Sequence, residues 1–232
     1  MKNIVLCSVG DVIPTWLSDR KFDVCLIHYG RDESIRTKLK DLCETFIVNE
    51  HYKMPNYLLA FEKIDLNYDG FIFIDDDLVV DSNVLDACFK RLDEYHLDAC
   101  QPSKRHNVSH GWDFIVLQKK GVFMEYTNFI ECGFMCLSKS CLTKIMPYWH
   151  KFLTGWGVDI ILHEFANKMA IFHDIHFYHP ERKRTVLDKS GKVTCSNSIE
   201  KGLLKTFGYN VQSFTPKVLK SIKQTSLERP KA

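Results

Sequence analysis

Short apolar runs alternate along the chain with stretches whose apolar residues recur every three or four positions. Residues 3–9 and 22–29 are continuous apolar runs of strand length; 46–48 and 71–74 are shorter ones. Between and after them, residues 33–43, 56–64 and 83–95 have helical spacing, the last behind Asp81-Ser82 as a cap. Strand and helix in turn predict a mostly parallel sheet covered by helices on both faces.

Beyond residue 98 the pattern is less regular. Residues 99–102 read as a short strand, 129–137 as a long apolar one and 169–178 as the last. Residues 138–148 and 158–167 read as helices, and 199–207 and 216–222 as short terminal ones. The expected architecture is a single α/β domain over residues 1–180 with a Rossmann-like, mixed but mostly parallel sheet. Residues 181–232 are expected to form a basic C-terminal extension.

The 232 residues are enough for one sizeable core. Nine cysteines are scattered without a CxxC pair, which argues against a zinc knuckle and for reduced thiols in a cytoplasmic protein. No run approaches the roughly 20 apolar residues of a membrane span. The net charge of +2 hides an asymmetry. Residues 181–232 hold 12 Lys and Arg against 4 acids, whereas residues 1–180 are net acidic. A basic tail has an anionic partner or is a solvated face.

The strongest chemical signal is Asp75-Asp76-Asp77 at the end of the run 71–74. Three carboxylates at the end of a buried strand repel one another and resist desolvation. A hard divalent cation, Mn²⁺ or Mg²⁺, relieves both costs and commonly carries a phosphate with it. The carboxyl end of a strand is where α/β sheets place ligands. The alternative is an acidic turn before a helix.

Four further segments could line such a site. Val9-Gly10-Asp11 and Tyr29-Gly30 follow the first two strands and leave room for a nucleoside. Gln101 and Trp112 lie in a stretch that could meet a sugar, with an indole face for a pyranose. Asn128 and Glu131 place hydrogen-bonding groups beside an apolar run, where they bind a ligand or close a local turn. In Gly155-Trp156-Gly157-Val158-Asp159, a flat apolar wall precedes a carboxylate at a helix start. Asp159 is there either a general base or a cap. Of the histidines at 173, 176 and 179, only His179 stands where a strand's end meets a metal on the sheet edge.

In this order the segments resemble the metal-dependent glycosyltransferases of the GT-A fold. The likeness is closer to a bacterial and plant family of that superfamily formerly described as a domain of unknown function. It spans residues 9–180 and includes Asp75-Asp76-Asp77-Leu78, Gln101-Pro102-Ser103, Tyr126-Thr127-Asn128-Phe129, the Gly-Trp-Gly-Val-Asp segment and His179. The resemblance implies that Val9, Gly10, Asp11, Tyr29, Asp75 and Asp76 bind a nucleotide sugar, Asp75 through the ribose. It implies that Asp77 and His179 ligate Mn²⁺ or Mg²⁺. Gln101, Trp112, Asn128, Glu131, Trp156 and Gly157 would contact substrate, and Asp159 would deprotonate the acceptor. Ile160 follows Asp159 where inverting galactosyltransferases carry a second acid, so the match there is partial.

The expected activity is metal-dependent, inverting transfer of a hexosyl or pentosyl group, from a UDP-sugar by default, to a glycan or lipid-linked glycan in polysaccharide biosynthesis. Peripheral contact with an anionic inner membrane face is expected of the tail; a nucleic-acid partner is not. A metal-dependent nucleotidyltransferase or phosphohydrolase would explain the acids but not the Gly-Trp-Gly-Val-Asp segment. A non-catalytic nucleotide-sugar binding module would need no base.

Overall fold

In the computed structural model, the residues described are 1–105, 113–180, 204–205, 208 and 214–224. Their apolar runs build a nine-stranded sheet: β1 (Asn3–Val9), β2 (Asp23–His28), β3 (Thr45–Val48), β4 (Gly70–Ile74), β5 (Ala99–Arg105), β6 (Val122–Thr127), β7 (Phe134–Ser138), β8 (Met169–Tyr178) and β9 (Val218–Lys223). The spatial order is β3-β2-β1-β4-β7-β5-β8-β6-β9. The first four strands by position are parallel. β7 runs antiparallel to both neighbours, β8 is parallel to β5, and β6 and β9 are antiparallel.

Crossover helices link the parallel strands: α1 (Glu33–Lys40), α2 (Lys53–Phe61) and α3 (Ser82–Glu94). α4 (Asp113–Val116), α5 (Lys139–Ile145) and α6 (Val158–Ile161) are shorter. Strand residues alternate between two cores. Ile4, Leu6, Phe71 and Phe73 pack toward α2, α5 and Trp149, whereas Val5, Cys7, Ile72 and Ile74 pack toward α3. Phe73 meets the Trp149 ring edge-on at 4.8 Å and Tyr57 at 5.1 Å. Each such pair adds about 0.5–1.5 kcal/mol beyond its burial.

The α/β class and the mostly parallel sheet stand as expected, and the strands of the first half lie within two residues of their predicted bounds. The second half differs. The apolar run 129–137 is a strand only from Phe134; before it the chain turns, with the Phe134 amide donating to the Glu131 carbonyl at 3.2 Å. Phe129 and Ile130 are buried in that turn by core packing. β6 lies where the apolar pattern predicts no strand. Where a helix over 216–222 is expected, Val218–Lys223 form an edge strand, because β6 offers an open side for pairing. The predicted helix 158–167 is one α-turn followed by a 3₁₀ turn. Asp81 precedes α3 but makes no side-chain cap. The eight described cysteines are unpaired thiols. No helix among the described residues is long and apolar enough to cross a membrane.

Candidate active site

The parallel strands β1, β2 and β4 end at one edge, and the three acids follow β4 there. Each acid has a different partner. Asp76 accepts the Gly10 amide at 2.8 Å and the Tyr29 hydroxyl at 3.0 Å. Burial raises its pKa, and the charges of Asp75 and Asp77 add to the effect against those two donors. A Cβ on Gly10 would come 3.0 Å from the Tyr29 hydroxyl oxygen, so the glycine keeps this junction closed.

Asp77 lies 3.4 Å from His179 Nε2. An isolated bridge makes the approach possible: Val79 and Tyr178 exchange backbone hydrogen bonds of 2.8 Å, which draws the end of β8 onto the turn after β4. His179 is 6% exposed.

Asp75 pairs with Lys53 Nζ at 2.5 Å. The same ammonium donates to the Cys132 carbonyl at 2.7 Å. Burial opposes the Lys53 charge, but the Asp75 carboxylate outweighs it and raises the lysine pKa. Lys53 was not picked out from the sequence, since one lysine at a helix start carries no local signal.

Cys132 also lies near Asp159: burial raises the thiol's pKa, and the charge of Asp159 helps to push it up. Asp159 is buried in the first turn of α6 and accepts the amides of Gly157 at 2.9 Å and Ile160 at 3.0 Å. Burial pushes its carboxyl up to about 6 despite those donors, and the Glu131 charge pushes the same way. Gly157 has φ of +97°, a left-handed conformation that glycine adopts without strain, and a Cβ there would press on Phe152 and Leu204. Trp156 is half-buried against the core.

The other expected site residues are occupied within the fold. Val9 is buried, and its carbonyl receives the Tyr29 amide at 2.9 Å. Asp11 accepts the Arg31 and Asp32 amides and the His28 ring, and those donors hold its carboxyl below the usual range. A Cβ on Gly30 would fall 2.0 Å from Asp11 Oδ1, so the loop closes only around a glycine. Gln101 is fully buried, and its amide oxygen takes the Glu131 amide at 2.6 Å. Asn128 faces the C-terminal segment: it accepts the Lys217 amide at 2.6 Å and donates to the Thr215 carbonyl at 3.4 Å. Trp112, most of the basic extension and most of the predicted helix 199–207 lie outside the described residues.

The sheet edge therefore gathers Gly10, Tyr29, the three acids, Lys53, Cys132 and His179, with Asp159 near Cys132. Among the described residues, no group of three or more His, Cys, Asp or Glu is arranged to hold a metal. A separate hollow, lined by Met1, Asp69, His96 and Lys139, sits at the opposite ends of these strands.

No family model and no curated protein matches the sequence. Solved structures do match in shape. S. aureus TarS aligns with a TM-score of 0.56 at 14% identity, over 78% of this chain and 37% of that one. TarS 1–349 in complex with UDP-GlcNAc aligns at 0.53 and 12% identity, over 79% and 60%. GalNAc-T7 with UDP, GalNAc and Mn²⁺ aligns at 0.65 and 12% identity, over 89% and 48%. This chain thus spans between about a third and three fifths of those proteins. At such identities the likeness establishes architecture: the chain has a GT-A-like fold.

Proposed function

We propose that this protein is a glycosyltransferase that moves a sugar from a nucleoside diphosphate, UDP by default, to a hydroxyl of a glycan or glycolipid, with inversion. One observation carries the reading. Two acidic groups with separate tasks meet at one sheet edge: the triplet after β4 with His179, and a buried, raised-pKa Asp159 near Cys132, whose carbonyl receives Lys53. Structures of the same architecture hold UDP-GlcNAc in TarS and UDP, GalNAc and Mn²⁺ in GalNAc-T7.

Asp77 and His179 would hold Mn²⁺ or Mg²⁺. The Asp77 carboxylate oxygen suits these hard cations, which keep positions for phosphate oxygens and water. When bound, the cation supplies charge neutralisation for the departing diphosphate. Asp76, fixed by Gly10 and Tyr29, shapes the nucleoside side of the pocket. Asp159 accepts the acceptor's proton, and a pKa of about 6 leaves it ionised at neutral pH yet basic enough for the task. Trp156 gives the acceptor a flat apolar wall.

The test is a screen of nucleoside diphosphate sugars by diphosphate release, with and without Mn²⁺. Release that requires both Mn²⁺ and an acceptor is expected. Asp77→Ala should abolish metal-dependent donor binding in calorimetry and leave the melting temperature near that of the natural protein. Donor affinity unchanged by chelation would remove the metal from the mechanism. Release of nucleoside monophosphate and sugar 1-phosphate in place of the diphosphate would favour a phosphohydrolase.

A further inference from the structure

The three acids differ in partners, and the difference originates outside the motif. Lys53 projects from the first turn of α2 to Asp75 and, 79 positions along the chain, to the Cys132 carbonyl. Its side chain is only 14% exposed. It also runs beneath Gly155, where a Cβ would stand 3.7 Å from its Nζ. One ammonium thus joins the turn after β4, the turn before β7 and the segment leading to Asp159. Asp76 meanwhile serves Gly10 and Tyr29, and Asp77 faces His179.

We propose that Lys53 is a positioning residue that withholds Asp75 from the divalent cation, so that Asp77 and His179 are the cation's protein ligands. The inference rests on the metal-dependent reading above. Without the ammonium, Asp75 is a carboxylate of the same triplet with no paired charge, and hard cations collect such oxygens. Lys53 therefore keeps the site weak enough to exchange its cation with the donor, and it keeps Asp75 available to the nucleotide sugar. Through Cys132 the same ammonium fixes the turn that borders Asp159.

The experiment titrates Mn²⁺ alone into the full-length protein by electron paramagnetic resonance. Asp77→Ala and His179→Ala should each weaken Mn²⁺ at least tenfold, whereas Asp75→Asn should stay within about threefold, about 0.7 kcal/mol. Lys53→Met should tighten Mn²⁺ at least threefold, and Asp75→Asn in that background should cancel the gain. A purely structural lysine would give the opposite sign, since loosening the site weakens binding. If Lys53→Met does not fold, the Asp75→Asn result in the natural background decides. Asp75→Asn weakening Mn²⁺ as much as Asp77→Ala overturns the inference and leaves the metal-dependent reading standing. Failure of the natural protein to bind Mn²⁺, with or without nucleoside diphosphate, overturns both.

Discussion

Two buried acidic clusters share this sheet, and they are electrostatic opposites. At the far edge, Glu125 of β6 receives Lys119 Nζ at 2.5 Å, the Ser221 hydroxyl of β9 at 2.8 Å and the His173 ring of β8 at 3.3 Å. The Lys119 amide donates to His173 Nδ1, so Nε2 carries the hydrogen that faces Glu125. Burial works against the Glu125 charge, yet its donors more than offset it and hold its pKa below the ordinary value. At the other cluster Asp76 and Asp159 are both raised, because burial and neighbouring acids exceed the donors within the protein. A satisfied carboxylate stabilises the fold, and here it seats β9. An under-compensated one costs stability and retains capacity for a cation or a proton. Burial is common to both clusters and does not separate them.

The largest effect should come from Asp159→Asn. Turnover with a verified acceptor should fall by roughly two to four powers of ten, the usual worth of a positioned base. Donor affinity should change little. In the natural protein, turnover should rise with pH through about 6, and the substitution should remove that limb. Near-normal turnover would take Asp159 out of the mechanism and make the two clusters functionally alike.

A smaller effect sharpens the contrast through pH and stability. The Asp159 carboxyl is raised from near 4 to about 6 on folding, so the folded protein holds its proton longer than the unfolded chain does. Its contribution to stability therefore falls as pH rises from about 4 to 6, by at most about 3 kcal/mol. Asp159→Asn should raise the melting temperature at pH 8 more than at pH 4. Equal shifts at both pH values would mean that the carboxylate carries no penalty in the fold.

Glu125→Gln should do the reverse. A depressed carboxyl stabilises above its unfolded pKa and loses that contribution as pH falls through its folded value. The substitution should destabilise at pH 7 by about 1–3 kcal/mol, as expected for hydrogen bonds to a charged group. Denaturant unfolding should show the deficit shrinking under acid conditions, while turnover per folded molecule holds. A turnover loss as large as that of Asp159→Asn would place Glu125 in the catalytic machinery.

The first half of the chain was legible because its information is local. Runs such as 3–9 and 71–74 are buried on both sheet faces, and amphipathic helices separate them. The acids were legible because three carboxylates after a buried strand are anomalous in any context. The second half was opaque for an equally physical reason. Phe129 and Ile130 are as apolar as a strand but are buried by a turn, and Val218–Lys223 form a strand because β6 has a side to fill. Asn128, Gln101 and Asp11 have the polar chemistry of binding residues, and tertiary contacts engage each with the backbone.

Local patterns along the chain specify the α/β class, the place of the acids at a strand's end and the glycine-flanked entry to Asp159. Those follow from periodicity, charge and backbone freedom over a few residues. Which acid faces which partner emerges only once the strands are assembled. Lys53 meets Asp75, Tyr29 meets Asp76 and His179 meets Asp77 across separations of 22, 47 and 102 positions. Such pairings depend on how the strands order and cross over, and no local pattern encodes them.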